Sequence, residues 1–260
     1  MRSLLSAMKN IALMELRALA GLVESQRRAM ATIERAAADY LDFHPLPGGP
    51  APAGTVCIVV GSERGFCGEF NAALEREARA ATARGDLLLA VGARLGERLD
   101  PARPAALTGA NVAEELPEVL ERVAARLVEL QRAAPGGPLR VRVVHQNPDG
   151  AGTLSRIIAP LPLPERRARA RPFPPRLTLA PQEFFAGLLE QSLLLALQEA
   201  FSVSLIAENR RRLEHMDGAL RRLDEITARI ARRMNASRQE EITEEIEIIM
   251  LSVEALGASR

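Results

Sequence analysis

The glycine-rich stretch Gly61–Gly68 has the residue types and the position of a ligand-binding loop. It reads Gly-Ser-Glu-Arg-Gly-Phe-Cys-Gly, follows a β-branched run and precedes an amphipathic segment. Backbone N–H groups in such a strand-to-helix turn can cradle a phosphate. The spacing is neither GxGxxG nor GxxxxGK[ST], however, no lysine follows, and Glu63 would repel a phosphate. The residues therefore favour a structural turn, in which glycine supplies tight backbone geometry, over a phosphate site.

Two side chains of this loop, Ser62 and Cys67, are candidate nucleophiles. A nucleophilic enzyme also needs a base within hydrogen-bond reach. The three histidines lie in three different segments of the chain: His44, His145 and His215. Because the sequence gives none of them a defined relation to the loop, we predict no catalytic site. Cys57 and Cys67 have no metal-ligand partners at usable spacing and make no disulfide framework, so we expect no metal, no cofactor and a reducing compartment.

Composition excludes several function classes. The chain has 260 residues, of which 47% are hydrophobic and only 3% aromatic, so its core is built from aliphatic side chains and offers little surface for stacking nucleic-acid bases. Its 34 basic and 33 acidic residues give a net charge of +1, which provides no field to attract polyanions. No apolar run reaches the roughly twenty residues of a membrane span. We therefore expect no nucleic-acid partner and no direct membrane insertion.

An α/β module should hold the glycine loop. Between Thr55 and Thr178, short β-branched runs alternate with amphipathic segments, which is typical of an open, mainly parallel, Rossmann-like sheet. The predicted strands are Val56–Val60, Leu87–Val91 and Leu139–Val144, and the predicted helices are Phe70–Ala83 and Val112–Ala133. A proline and glycine cluster, His44–Gly54, precedes the module. A proline-rich, basic run, Pro160–Pro175, follows it, and a solvated connection is favoured there over a site for an acidic partner.

Two proline-free stretches flank the module and are predicted to be long helices: Ser3–Leu41 and Gln182–Leu256. Each carries an apolar seam in steps of three and four, which requires a partner helix. The segment Phe184–Ala207 is apolar on nearly every side and should be enclosed by protein. The seam residues assigned to the coiled coil are Leu5, Leu16, Leu19, Val23, Leu213, Met216, Leu220 and Leu223. The fold class is therefore α+β: a long antiparallel coiled coil plus an open α/β domain.

The pairing register follows from the helix lengths. If the helices are antiparallel, residue i should lie beside a residue numbered about 225 to 230 minus i, because both helices rise by the same amount per residue. Leu19 should then lie near Glu208 to Arg212, and the N-terminal helix ends opposite approximately Arg229. After Met234 the seam slips by a four-residue insertion, through Arg238 to Ile242, and continues beyond the reach of the partner helix. Its later members are Ile246, Ile249, Val253 and Leu256.

Motifs in the glycine loop and in the two long helices resemble those of the gamma subunit family of F-type ATP synthases, the central rotor shaft. Gly61–Asn71 is similar to the family's S-[DE]-R-G-L-C-G-G-L-N loop, and Ser237–Glu245 resembles its A-R-Q-x-x-I-T-x-E signature. The helix upstream of that signature keeps the family's E-x(3)-R-x(3)-M-x(2)-A spacing at Glu208, Arg212, Met216 and Ala219. The N-terminal helix matches the family's K-N and R-R-A at Lys9-Asn10 and Arg27-Arg28-Ala29. The resemblance spans the whole chain.

The sequence also departs from the family pattern. Ala18 stands where the family has a methionine linked to rotor-stator coupling. Ile248 replaces an expected acidic residue, and Ser252-Val253 replaces a small Gly-Ala pair. We therefore expect a divergent member, of an alternative form of the complex, whose transported ion is H⁺ or Na⁺.

The resemblance implies a subunit with no active site, which couples ion flow through a membrane ring to ATP synthesis or hydrolysis in a catalytic head. The implied partners are the alpha and beta subunits of the head, an epsilon-type stalk subunit and the c-ring, at the cytoplasmic face of the inner membrane. The implied rotor-stator contacts are Arg212, Gln239, Thr243 and Glu245, and the implied structural-loop residues are Gly61, Arg64, Gly65, Cys67, Gly68 and Asn71. The charges between Arg210 and Asp224 are equally compatible with a solvated helix face and with contacts to a partner.

The expected domains are 1–43, 54–180 and 181–257. Two rival functions remain. A coiled-coil adaptor unrelated to ATP synthesis would explain the helices but not the matching signatures. A small Rossmann-like enzyme would explain the module but requires the phosphate loop that is missing.

Overall fold

The computed structural model describes residues 2–44, 51–100, 106–134, 136–150, 152–160 and 173–257. The interior of the predicted proline and glycine cluster, 45–50, and most of the predicted basic connection, 161–172, lie outside these residues. The described elements, in chain order, are α1 (Arg2–Leu41), β1 (Gly54–Val60), α2 (Phe70–Ala83), β2 (Leu87–Val91), α3 (Ala93–Gly96), a 3-10 turn (Ala113–Glu115), α4 (Leu116–Ala133), β3 (Leu139–Gln146), β4 (Thr153–Ala159) and α5 (Pro181–Gly257).

The four strands form one sheet in the order β2-β1-β3-β4. The first three are parallel, with Ile58 of β1 opposite Leu89 of β2 and Val143 of β3, and this confirms the predicted parallel arrangement. β4 is antiparallel to β3 and was not predicted from the sequence. Its side chains are mostly exposed, because it lies at the edge of the sheet, so it lacks the continuous apolar run that marks the buried strands.

Each face of the sheet has its own core, because successive side chains of a strand point to opposite faces. Val56, Ile58 and Val60 of β1 lie in a cluster that also contains residues of α1, α4 and α5. Cys57 and Val59 of the same strand lie in a second cluster with residues of α2. The sheet is therefore covered on both sides, as parallel sheets require.

The helices α1 and α5 pack in antiparallel orientation within the compact unit Met8–His215. Gln26 Nε2 donates to Ser202 Oγ at 3.3 Å, and Arg27 Nε donates to Glu199 Oε1 at 3.0 Å. Near the end of α1 the ring of Tyr40 stacks on that of Phe185, with centroids 5.0 Å apart. All these contacts follow the predicted register, which is therefore confirmed in this unit.

The second compact unit comprises Met1–Ala7 and Met216–Arg260. In it the Arg2 guanidinium lies 3.4 Å from an Asp224 carboxylate oxygen, which again fits the predicted register. The domain bounds expected from the sequence stay a prediction, since α5 belongs to both compact units.

The coiled-coil seam assigned from the sequence consists of buried and half-buried side chains. Leu19, Val23 and Met216 are buried. The other five members are half-buried: Leu5, Leu16, Leu213, Leu220 and Leu223.

Exposure changes abruptly along α5, a helix of 77 residues. All nine residues from 201 to 209 are buried, so the prediction that Phe184–Ala207 is enclosed by protein is confirmed for 201–207, whereas residues 186, 187, 190, 191 and 194 of the predicted segment are exposed. From 224 to 251 every residue is exposed. The side chains of the last predicted seam members, Val253 and Leu256, lie outside the description.

Candidate functional site

The glycine loop is a rigid turn at the carboxyl end of β1. A Cβ atom at Gly61 would lie 2.4 Å from Leu95 Cβ, so only glycine fits at this position. Phe66 and Gly68 have φ angles of 64° and 56°, in the left-handed region. These features support the structural-turn interpretation of the loop, with Arg64 and Gly68 exposed and Gly65 half-buried.

Hydrogen bonds hold both sides of the loop. Asn71 Oδ1 accepts a bond from the Ser62 backbone N–H at 3.1 Å, and Asn71 Nδ2 donates to Ser62 Oγ at 2.8 Å. The Glu63 carboxylate accepts bonds from the backbone N–H groups of Ala93, at 2.9 Å, and Gly109, at 2.7 Å. A carboxylate of the chain therefore occupies these backbone donors, to which an anionic ligand would otherwise bind.

Helix α5 lies across the carboxyl end of β1. In open α/β sheets, ligands bind beyond the carboxyl ends of the strands, where connections diverge to the two sides. Here Ser204 Oγ donates to the carbonyl of Val60, the last residue of β1, at 3.3 Å. Gln146, at the end of the neighbouring β3, donates to the carbonyl of Phe70. A side chain of α5 therefore occupies the carbonyl at the carboxyl end of β1.

Cys67 is buried against α5. Its Sγ lies 3.3 Å from the carbonyl oxygen of Gly65 and 3.9 Å from Glu208 Oε1. Burial, reinforced by the charge of Glu208, raises the pKa of the Cys67 thiol to about 12. A thiol in this state is not a nucleophile near neutral pH, since the thiolate is the reactive form.

Glu208 and Arg212 form a buried ion pair on α5. The Arg212 guanidinium donates to the Glu208 carboxylate from one turn further along the helix, and its Nη1 donates to Asn209 Oδ1 at 2.6 Å. Arg212 is only 6% exposed. The alternative of a solvated helix face for the charges from Arg210 to Asp224 is therefore wrong at Arg212, because the i, i+4 pairing and the surrounding core enclose it. Its assignment as a contact to the catalytic head stays a prediction.

The Glu208 carboxylate is also bound by the glycine loop. Cys67 Sγ of the loop lies 3.9 Å from Glu208 Oε1, and the backbone N–H groups of Glu63 and Arg64 favour the charged carboxylate. Burial raises the pKa of Glu208, while the Arg212 guanidinium and these two N–H groups oppose the rise. We call the group formed by Glu63, Arg64, Cys67, Glu208 and Arg212 the Glu208 cluster. The i, i+4 spacing of Glu208 and Arg212 was visible in the sequence, but their burial depends on where the loop meets α5.

The other assigned rotor-stator residues lie in the exposed part of α5. Gln239, Thr243 and Glu245 are all exposed, and the Thr243 hydroxyl donates to the Gln239 carbonyl at 2.8 Å, a bond within the helix. Large apolar side chains accompany them on the exposed stretch. Ile226, Ile230, Ile242 and Ile246 are each between 50% and 55% exposed. Such a concentration of exposed apolar surface is typical of a region that contacts another protein.

None of the described helices is both long and apolar enough to cross a lipid bilayer. Within the described ranges, likewise, no group of three or more His, Cys, Asp or Glu side chains is arranged to hold a metal ion.

Comparison with known proteins gives the family. No curated protein matches the chain. Among solved structures, a chain of the Tetrahymena thermophila mitochondrial ATP synthase, central stalk and c-ring, is 16% identical with a TM-score of 0.56, over 83% of this chain and 99% of that chain. A chain of the Euglena gracilis mitochondrial ATP synthase, OSCP, F1 and c-ring in rotational state 3, is 12% identical with a TM-score of 0.52, over 98% and 96% of the two chains. At this identity the likeness shows a common fold.

The family model described as ATP synthase matches residues 1–256. This match spans the α/β module and both long helices. It favours neither the coiled-coil adaptor nor the Rossmann-like enzyme. The chain belongs to the gamma subunit family of ATP synthases, and it is a non-catalytic central-stalk rotor subunit that couples ion flow to ATP synthesis or hydrolysis.

Proposed function

We propose that this subunit transmits rotation through the exposed stretch 224–251 of α5, which inserts into an apolar sleeve at the axis of the catalytic head. The single observation that carries this proposal is the continuous exposure of that stretch, including its isoleucines. Exposed apolar surface costs about 25 cal/mol per Å² relative to burial, so the stretch gains stability when a partner encloses it. The head's alpha and beta subunits are the partners that this role requires.

Within the inserted stretch, we propose that Gln239, Thr243 and Glu245 contact the head. Their side chains are exposed. Gln239 and Thr243 are four residues apart, so their hydrogen-bonding groups lie on neighbouring turns of one helix face. A stiff helix that presents different side chains in different directions biases identical surrounding sites differently as it turns. Arg212 is proposed as a further contact of the head, although its guanidinium is already engaged by Glu208 and Asn209.

We propose that the α/β module binds the c-ring and an epsilon-type stalk subunit. The subunit then lies at the cytoplasmic face of the inner membrane as a peripheral protein. The similarity of the chain to proteins solved in F1 and c-ring assemblies supports these partners.

Hydrogen exchange tests the insertion directly. In the isolated chain, amides from about Asn235 onward should exchange quickly, because an exposed single helix opens readily. In the assembled complex the same amides should be protected. Strong protection of this stretch in the isolated monomer would contradict the proposal.

Reconstitution tests the contact residues. The wild-type chain and the variants Gln239→Ala, Thr243→Ala and Glu245→Ala are assembled with the head and the membrane ring. We expect each variant to lower ion-coupled ATP turnover about tenfold, the effect of losing about 1.4 kcal/mol of a charged or polar contact. Glu244→Ala is the comparison variant, since Glu244 is an exposed carboxylate of the same segment to which no contact with the head is assigned. Equal losses in all four variants would show that the contact is not residue-specific.

A further inference from the structure

The Glu208 carboxylate connects two parts of the chain that are far apart in sequence. On one side its Oε1 lies 3.9 Å from Cys67 Sγ of the glycine loop, and the backbone N–H groups of Glu63 and Arg64 in that loop favour its charged form. On the other side it pairs with Arg212 of its own helix. Glu208 is 3% exposed, so water does not compete for these bonds.

Both sides of this connection are rigid. Behind the loop, the Glu63 carboxylate binds the backbone of Ala93 and Gly109, and Asn71 closes the loop onto Ser62. On the helix side, the residues from 201 to 209 are all buried. A connection with rigid support on both sides transmits displacement, because packed interiors deform little.

Another polar contact between α5 and the module is weaker. Arg210 Nη1 donates to the Pro148 carbonyl at 2.6 Å and to the Asp149 carboxylate at 2.7 Å. The side chain of Asp149 is 79% exposed, and that of Arg210 is 46% exposed. Exposed ion pairs of this kind contribute little, because water and salt screen them. The buried Glu208 carboxylate is therefore a stronger connection than the exposed Arg210–Asp149 pair.

We infer that Glu208 is a positioning residue that fastens α5 to the carboxyl end of the sheet, so that torque entering through the α/β module reaches the long helix through the Glu208 cluster. The torque part of this inference rests on the proposed shaft function. The fastening part concerns the chain alone and is tested separately.

Cys67 is a natural reporter of the fastening. Its thiol is 5% exposed and lies against Glu208 of α5, so it reacts faster with a thiol reagent when the loop moves away from the helix. Cys57, fully buried in the central strand β1, reports unfolding of the sheet in the same molecule. These are the two cysteines of the chain, so a mass-spectrometric time course with iodoacetamide resolves both sites.

The test compares Glu208→Gln with Glu199→Gln in the isolated full-length chain. Glu199 lies on the same helix and pairs with Arg27 and Arg156, at a distance in sequence from the loop contacts. We expect Glu208→Gln to speed the labelling of Cys67 at least tenfold, because it removes charge-assisted bonds and leaves the buried Arg212 guanidinium without its counter-charge, which raises the open fraction. Cys57 should remain slow. Glu199→Gln should leave both cysteines at the wild-type rate.

Unchanged labelling of Cys67 in Glu208→Gln would overturn the fastening. If that variant fails to fold, the wild-type chain still decides: the backbone amides of Glu63 and Arg64 must exchange as slowly as those of β1. Fast exchange of these two amides in the wild type would also overturn it.

The torque part is tested in the assembled complex. There Glu208→Gln should lower ion transport per ATP hydrolysed at least severalfold, while Glu199→Gln keeps the wild-type ratio. Full coupling in a Glu208→Gln complex whose Cys67 is labelled quickly would show that the cluster fastens the helix but carries no torque. Failure of the wild-type chain to couple at all would instead count against the proposed function and leave the fastening standing.

Discussion

Two stretches of α5 both carry large apolar side chains and have opposite environments. Residues 201–209 are buried on every side, whereas residues 224–251 are all exposed, although both stretches carry large apolar side chains. The sequence predicted that the first stretch is enclosed because it is apolar on nearly every side, and that the second needs a partner because it carries an apolar seam. An apolar seam on a helix indicates that the helix needs a partner. Whether the same chain supplies that partner depends on the rest of the fold.

Neighbouring arginines show the same contrast at the scale of single residues. Arg210 and Arg211 have side chains that are both 46% exposed, whereas the side chain of Arg212 is 7% exposed. The sequence gives all three the same charge and helix propensity. Only the position of the glycine loop against one face of α5 separates them.

The largest expected effect comes from breaking the buried pair. Arg212→Ala should lower the free energy of unfolding by about 3 to 5 kcal/mol, because it leaves Glu208 as an uncompensated buried charge. Arg211→Ala, which removes an exposed pair with Glu214, should cost under about 1 kcal/mol. Urea unfolding of the two variants measures the difference. Equal midpoints would mean that Glu208 and Arg212 are not buried together in solution.

The next effect comes from the paired part of α1. Leu19→Ala should lower the free energy of unfolding by about 2 to 5 kcal/mol, because Leu19 is fully buried in the core shared with α5 and the sheet. Leu22→Ala, three residues further along the same helix, should cost less than about 1 kcal/mol, since Leu22 is exposed. Thermal or urea unfolding of the two variants measures this difference in the free energy of unfolding. A larger loss for Leu22 would contradict the register of the helix pair.

The exposed stretch should respond in the opposite way. Ile242→Ala and Ile246→Ala should change the stability of the isolated chain by no more than about 0.5 kcal/mol, because neither side chain is enclosed there. In the complex the same variants should weaken retention of the subunit in the head. Gel filtration of assembled particles at increasing dilution measures that retention. A large destabilisation of the isolated chain would show that the stretch packs on its own protein.

The smallest expected effect is a pH dependence of the free energy of unfolding, caused by a buried histidine. Burial lowers the pKa of His145, which lies at the end of β3. Below the pKa of His145 in the unfolded chain, the unfolded chain therefore binds more protons than the folded one. The stability that His145 contributes is complete above that pKa and is lost as pH falls through its pKa in the folded protein. Wild-type stability should therefore fall more than that of His145→Gln between pH 7.5 and 5. Parallel stability curves of the two proteins would exclude this contribution.

Much of the fold could be predicted from the sequence. Residues Val56–Val60, Leu87–Val91 and Phe70–Ala83 form the expected strands and helix, because each has a clear apolar period bounded by turn residues. β4 escaped prediction because an edge strand with exposed side chains has no such period. The helix register was also predictable, since two helices of equal rise fix each other's alignment once their ends are known.

The functional site was predictable only in part. Family motifs pointed to Gly61–Asn71, Arg212 and the residues near Gln239, because motif spacing is a property of the chain itself. The burial of Arg212, its pairing with Glu208 and the attachment of both to the backbone of Glu63 and Arg64 were decided only by the tertiary structure. Local periodicity states which side chains share a helix face, but it contains no information about which distant loop covers that face. The helices, the parallel strands and the family resemblance could therefore be inferred from local sequence patterns. The burial of Arg212, and not of Arg210 or Arg211, depends on tertiary contacts.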